Sequence, residues 1–261
     1  MQRQTALITG ASAGIGRSLA LQFARHGYGL ILVARRAAAL EDLAAHLSRA
    51  HGVGARVLVV DLAQPDGPRT IDDALASANV QVDVLVNNAG FGLQGGFAQL
   101  PLQRQLDMIQ VNITALTELT RRFLPGMLQR NRGGVLNVGS TAGFQSGPLM
   151  AVYYATKAYV LSFTEALAEE VAGSALRISC LAPGATASEF AAVAGMEKSN
   201  LFRVQAMDAD VVARFGYDAW TRGKVLAIPG ISNRIGAFSV RFAPRALVRR
   251  VIRRLNSVPP E

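Results

Sequence analysis

Cysteine occurs once in the 261 residues, lysine three times against 24 arginines, and charged side chains fill only 17% of positions. A single thiol cannot build an internal disulfide framework, so the reducing cytoplasm is the expected compartment. The opening MQRQTALITG lacks the charged-then-apolar pattern of a secretory signal. No uninterrupted apolar run reaches the ~18 residues from which a membrane-spanning helix is proposed. Internal repeats, low-complexity tracts and Pro/Ser-rich linkers are also missing, so residues 1–261 are expected to form one domain. With half of all positions hydrophobic, a disordered chain is excluded.

Acid is missing from one stretch in particular. Between Arg234 and Arg254 lie seven arginines and no Asp or Glu, which accounts for most of the formal charge of +9. A nucleic-acid reader should show a basic stripe interleaved with aromatics or a recognisable module. Neither is present, and no nucleic-acid partner is expected. Pro244 suits the first turn of a helix. Beyond it Leu247, Val248, Val251, Ile252 and Leu255 make one apolar stripe, with Arg245, Arg249, Arg250, Arg253 and Arg254 mainly on the polar side. The tail at 234–261 thus reads as a basic amphipathic element. Such a helix can rest on an anionic membrane as a peripheral contact. It can equally pack its stripe on another subunit or on its own domain and leave the arginines solvated.

What is there is a rhythm. Thr5–Thr9, Gly29–Ala34, Arg56–Val60, Val82–Asn87, Val135–Gly139, Leu176–Leu181 and Lys224–Ile228 are nearly continuous in apolar residues, as strands covered on both faces would be. Helical patterns alternate with them at Ile15–His26, Ala37–His51, Arg69–Ala78, Leu102–Gln129 and Val152–Val171. This alternation predicts an α/β fold, a doubly wound parallel sheet with helices on both faces. The stretch 185–222 breaks the rhythm after the sixth strand. Ligands bind outside the carboxyl ends of such strands, so it reads as a substrate lid.

The first strand runs straight into Gly10-Ala11-Ser12-Ala13-Gly14-Ile15-Gly16 and then a helix. Glycines there permit a tight turn and close approach of backbone to a pyrophosphate, which the free N–H groups of the helix start attract. The spacing is G-x-x-x-G-x-G rather than G-x-G-x-x-G. At the end of the second strand, where NAD-binding chains usually carry an acid for the ribose, stand Arg35 and Arg36. No carboxylate is there to repel a 2′-phosphate, and two guanidiniums can pair with one. NADP(H) is therefore expected over NAD(H).

Tyr153 and Lys157 are four apart and share a helix face; Tyr154, three from Lys157, competes on spacing alone. A nearby ammonium favours the phenolate and lowers a tyrosine pKa, poising the phenol as a general acid or base. Ser140 follows the fifth strand, at the same carboxyl edge as the glycine loop, where its hydroxyl can donate to a carbonyl oxygen. His26, His46 and His51 lack ligand-spaced acids or thiolates, so no metal is expected. Cys180 reads as a buried hydrophobe. Phe215 and Trp220 read as lid contacts or core.

Taken together, Thr9-Gly10-x-x-x-Gly14-x-Gly16, Asn87-Asn88-Ala89-Gly90, Asn112, Ser140, Tyr153-x-x-x-Lys157 and Pro183-Gly184 resemble the short-chain dehydrogenase/reductase family, up to about Thr186. The resemblance implies a Rossmann-type sheet of about seven strands and a nicotinamide cofactor. It selects Tyr153 over Tyr154 as proton donor and acceptor, with Ser140 orienting the carbonyl. Lys157 would bind the nicotinamide ribose, and Asn112 would hold a water in a proton relay. Gly10, Ser12, Gly14, Ile15, Gly16, Arg35 and Arg36 are expected at the phosphates. Asp61 and Leu62 should flank the adenine, Asn88, Ala89 and Gly90 its ribose side, and Pro183, Gly184 and Thr186 the nicotinamide end. The implied reaction is reversible reduction of a ketone or aldehyde, with a homo-oligomer as the expected assembly. The apolar segments Phe190–Met196 and Leu201–Val204 suggest a lipophilic or 3-oxoacyl substrate. The competing reading, a non-catalytic NADP(H) sensor or scaffold, has no need of the Ser/Tyr/Lys set.

Overall fold

A computed structural model describes residues 3–197, 199–200 and 206–257. Its strands are β1 (Thr5–Thr9), β2 (Gly29–Ala34), β3 (Ala55–Val59), β4 (Val84–Asn87), β5 (Gly134–Val138), β6 (Arg177–Leu181) and β7 (Leu226–Ala227). All pair in parallel, in the order β3-β2-β1-β4-β5-β6-β7. The order reverses between β1 and β4, and the crevice above that junction is where a doubly wound sheet receives its ligand.

Strand residues divide between two cores by simple alternation. Ala6 and Ile8 of β1, with Leu30 and Leu32 of β2, face α1 (Gly14–Arg25) and α2 (Ala37–His51). Leu7, Ile31 and Val33 point the other way, toward α3 (Gly67–Ser77) and its neighbours. Both faces are covered, hence the unbroken apolar runs. The exception is β3 at the edge, where Arg56 and Val59 are exposed. Two strands are shorter than the patterns suggest: the central β4 starts at Val84, and the edge strand β7 keeps only two ladder residues of Lys224–Ile228.

The long helical pattern at Leu102–Gln129 is not one helix. It divides into α4 (Leu102–Ile109), a π-helical turn at Gln110–Ala115 and α5 (Leu116–Arg130). Wide π turns tend to mark functional sites because they re-aim one side chain. Here that side chain is Asn112, which is buried. A short 3₁₀ turn at Thr141–Phe144 then leads to α6 (Ala151–Glu170), which carries Tyr153 and Lys157.

The expected lid at 185–222 proves to be two different things. Its first part, with the short α7 (Phe190–Ala194), borders the crevice. Its last part is α8 (Ala209–Thr221), which packs behind the sheet against Phe23 of α1. Trp220 is buried there, donating from Nε1 to the Arg177 carbonyl at 3.0 Å, and Phe215 faces solvent away from the crevice. An apolar helix face buried in the main core cannot act as a lid. Leu201–Val204 lies outside the described residues. The last helices among the described residues are α9 (Ile231–Ser239) and α10 (Arg245–Asn256).

Candidate active site

The glycine loop holds its shape through residues that follow β4. Gly10 has φ +65°, and a Cβ there would stand 2.7 Å from Asn88 Nδ2. At Gly16 a Cβ would meet the Gly10 carbonyl oxygen at 2.3 Å, so neither position admits a side chain. Asn88 donates from Nδ2 to the Thr9 and Gly10 carbonyls at 2.9 and 3.2 Å. Thr9 Oγ1 accepts from the Asn88 and Ala89 amides, both at 3.0 Å. The Asn88 side chain, expected beside the adenine ribose, is thus spent on the loop, and Thr9 is its partner. The first turn of α1 has no side-chain cap, which leaves its N–H groups directed at the crevice.

At the end of β2, Arg36 bridges two sides of the cleft. Its Nε and Nη2 donate to Ser12 Oγ at 3.3 and 3.1 Å, and it forms an ion pair of 2.9 Å with Glu189, just before α7. Arg35 lies exposed on the same rim. Opposite, Asp61 Oδ1 accepts from the Ala63 amide at 3.0 Å, and Leu62 is buried in the core. Glu189 carries no signal in the sequence; only the fold brings it to Arg36.

The reacting centre lies beyond the carboxyl end of β5. Ser140 caps the 3₁₀ turn, its Oγ accepting from the Ala142 amide at 3.1 Å and donating to the Pro183 carbonyl at 3.4 Å, and its hydroxyl neighbours the buried Tyr153. Burial holds the Tyr153 phenol well above the ordinary tyrosine range, and the neighbouring Ser140 hydroxyl pulls it back only in part. The expected lowering by Lys157 is outweighed: Lys157 Nζ donates to the Val138 carbonyl at 2.8 Å and stands 5.8 Å from the Tyr153 ring centre. Desolvation outweighs a cation that is turned toward the backbone. The same burial pulls Lys157 down to about 8. Asn112 is clamped by Phe91, accepting from its amide at 3.1 Å and donating to its carbonyl at 3.0 Å, and it also donates to Thr156 Oγ1. Its Oδ1 and Lys157 Nζ would both lie within 4 Å of a Gly90 Cβ, so the missing side chain keeps the gap between them open.

Pro183, Gly184 and Thr186 follow β6 on the far side of this centre. Thr186 is buried and donates to the Gly184 carbonyl at 3.1 Å. Asn233 of α9 fills the space over Gly184, where any Cβ would overlap its side chain at 2.4 Å. Cys180 sits in β6 with no exposure, its thiol pushed up to about 12 by burial.

A cavity of about 1040 Å³ runs from Arg35 and Asp61 at one end past Ser140, Tyr153 and Lys157 to Phe190 and Met196 at the other. Its apolar end is closed by the terminal helix: Val248, Ile252 and Leu255 of α10 face it. The basic amphipathic helix therefore packs on its own domain, over the site. Asn256, fully buried, pins it there. Its Oδ1 accepts from the Tyr154 hydroxyl at 3.1 Å, its Nδ2 donates to the Pro148 carbonyl at 3.0 Å, and Gln94 donates to its carbonyl. This separates the two tyrosines: the Tyr154 hydroxyl is held by the helix, and Tyr153 is the one beside Ser140. Replacing Asn256 by alanine strands two buried polar groups, at a cost of about 1–3 kcal/mol each. N256A is expected to lower the melting temperature and raise KM for bulky substrates more than for small ones; an unchanged KM ratio would refute this anchoring.

With this geometry in view, comparison with known proteins is direct. The family model for short chain dehydrogenases matches residues 4–198. The chain belongs to the short-chain dehydrogenase/reductase family. It is an oxidoreductase of that family, with the Rossmann-type fold. A short-chain dehydrogenase from Sphingobium yanoikuyae, solved in complex with NADPH, superposes with a TM-score of 0.83 at 33% identity, covering 94% of this chain and 95% of that one. A bulky-bulky ketone specific alcohol dehydrogenase from Comamonas testosteroni gives 0.79 at 28% identity, covering 95% and 94%. Among curated sequences, a very-long-chain 3-oxoacyl-CoA reductase of Laccaria bicolor is 39% identical over 64% of this chain. The chain spans about half the length of that protein and its fungal counterparts. An NADP-dependent 3-hydroxy acid dehydrogenase of Schizosaccharomyces pombe is 35% identical over 73% of this chain and 74% of its own length.

Proposed function

We propose that this family member is an NADPH-dependent reductase of lipophilic ketones, with a 3-oxoacyl chain as the leading substrate class. The observation that carries the reading is the Ser140–Tyr153 pair beside Lys157, set in a cavity with an arginine rim at one end and an apolar wall at the other. The fungal 3-oxoacyl-CoA reductases and the ketone-specific alcohol dehydrogenase among its relatives support the substrate class. The NADPH-bound relative supports the cofactor, as do two arginines and no acid at the end of β2.

The cleft fits a dinucleotide: the glycine positions leave no room for side chains, and the uncapped α1 N-terminus faces it. Gly10, Ser12, Gly14, Ile15 and Gly16 would hold the diphosphate, Arg35 and Arg36 the 2′-phosphate, Asp61 and Leu62 the adenine. Ala89 and Gly90 would line the adenine ribose side, and Pro183, Gly184, Thr186 and Lys157 would hold the nicotinamide end. NADPH, when bound, supplies a hydride to the carbonyl carbon. Ser140 and Tyr153 donate hydrogen bonds to the carbonyl oxygen as charge develops, and Tyr153 passes its proton to that oxygen. The phenol is protonated at neutral pH, as a donor must be, and burial raises its pKa further. Lys157 stabilises the phenolate left behind, and Asn112, across the gap over Gly90, positions a water through which the proton is replaced.

The pH dependence follows in sign. Lys157 loses its proton as pH rises through about 8. Reduction, measured as kcat/KM, is expected to be flat on the acid side and to fall above that point; a profile that climbs through it would contradict the role given to Lys157. The substrate class is tested by NADPH absorbance with 3-oxoacyl thioesters of increasing chain length. Rates should rise with chain length; preference for the shortest member would refute a lipophilic substrate.

A further inference from the structure

Helix α9 is turned inside out. Its large apolar residues Ile231, Ile235 and Phe238 are 76%, 64% and 60% exposed, and Phe242, in the turn that follows, is 75% exposed. Its small and polar residues, Asn233, Gly236 and Ala237, face the cavity instead. The pattern continues into α10. Leu247 and Val251 border the cavity yet remain 53% and 49% exposed, so apolar surface runs from the outside of the molecule to the substrate end. Phe238 and Phe242 pack together, with ring centres 5.2 Å apart, into one protruding aromatic pair. Leaving this much apolar surface in water is unfavourable, and contiguous patches of this kind mark docking sites.

The charge around the patch decides among partners. Arg234, Arg241, Arg245, Arg249, Arg250, Arg253 and Arg254 are spread through the same two helices and their link, without one acid between Arg234 and Arg254. A second copy meeting this face by two-fold symmetry would set arginine against arginine with no carboxylate to pair. An anionic phospholipid surface suits both features, taking the aromatic and aliphatic side chains below the headgroups and the guanidiniums at the phosphates.

We infer that α9, α10 and their link form a membrane-docking surface for anionic bilayers, holding the apolar end of the cavity against the lipid. No helix of the described residues is long and apolar enough to cross a membrane, so the contact is peripheral. Lipophilic substrate would then enter between Leu247 and Val251 from the acyl layer. The docking itself does not rest on the substrate assignment, because its readout is partition onto lipid rather than turnover.

The test is flotation of the full chain with vesicles of phosphatidylcholine alone and of phosphatidylcholine mixed with phosphatidylglycerol. Two variants accompany it, F238S/F242S and R249Q/R253Q, all four positions exposed and outside the cavity lining. Each arginine at an anionic surface is worth roughly fivefold in binding, so the second variant should weaken it by more than tenfold. The wild type should float with the anionic vesicles, little with the neutral ones, and less at high salt; each variant should lose this while still binding NADPH. Wild type that stays with the soluble fraction, or variants that float like it, would overturn the inference. So would gel filtration showing an oligomer that F238S/F242S dissociates while vesicle binding is absent, since the face would then belong to a second copy.

Discussion

Replacing Tyr153 by phenylalanine is expected to lower kcat/KM for carbonyl reduction by about a thousandfold while NADPH affinity changes little. The substitution removes one oxygen from a buried site and keeps the ring, which packs on Phe190 with centres 5.2 Å apart. The fold should therefore survive. What is lost is the proton donor that burial and Ser140 hold ready beside the carbonyl site. Tyr154→Phe is the matching control: it removes a hydroxyl bonded to Asn256 and should cost stability rather than chemistry. Near-normal turnover in Y153F, or loss in Y154F as deep as in Y153F, would refute the assignment. Fluorescence titration with NADPH separates a catalytic defect from a binding one.

Removing both guanidiniums from the end of β2 is expected to have the second largest effect. Hydrogen bonds to charged groups contribute about 1.5–3 kcal/mol each, so R35A/R36A should reduce the preference for NADPH over NADH by about a hundredfold or more. The geometry makes the two arginines unequal. Arg36 already contacts Ser12 and Glu189, so it must be shared with, or released from, Glu189 to meet a phosphate. The pair is exposed and its own contribution to stability is small. E189Q should therefore improve NADPH affinity severalfold without helping NADH. A double arginine variant that keeps its NADPH preference would show that the 2′-phosphate is read elsewhere.

Much of this was legible in the sequence because the physics is local. Strands covered on both faces must be apolar throughout, so β1 and β2 could be read to the residue. A loop where Gly10 and Gly16 leave no space for a Cβ has to be glycine, whatever surrounds it. Three features were not legible, each for a physical reason. The π turn that aims Asn112 keeps a helical apolar pattern, so Leu102–Gln129 looked continuous. Helix α9 carries its large apolar side chains outward, which inverts the rule by which a buried face is found. The contacts that place the terminal helix, Tyr154 with Asn256 and Asn200 with the Arg254 carbonyl, join residues far apart in the chain. Its stripe was visible from Leu247 to Leu255; that it closes the substrate end of the cavity was not. Where the cavity-bordering segment after β6 ends is hidden for a similar reason, since the burial of Trp220 against Phe23 depends on the tertiary fold.

The proposed reaction moves a hydride from NADPH to a carbonyl carbon while Tyr153 supplies the proton. Mass spectrometry of the alcohol formed from NADPH deuterated at C4, on one face and then on the other, follows that hydride. One deuterium is expected on the carbinol carbon from one face only, and no such product with Y153F in the same interval. Product lacking deuterium from either form, or no alcohol from any carbonyl compound by protein that binds NADPH, would contradict it.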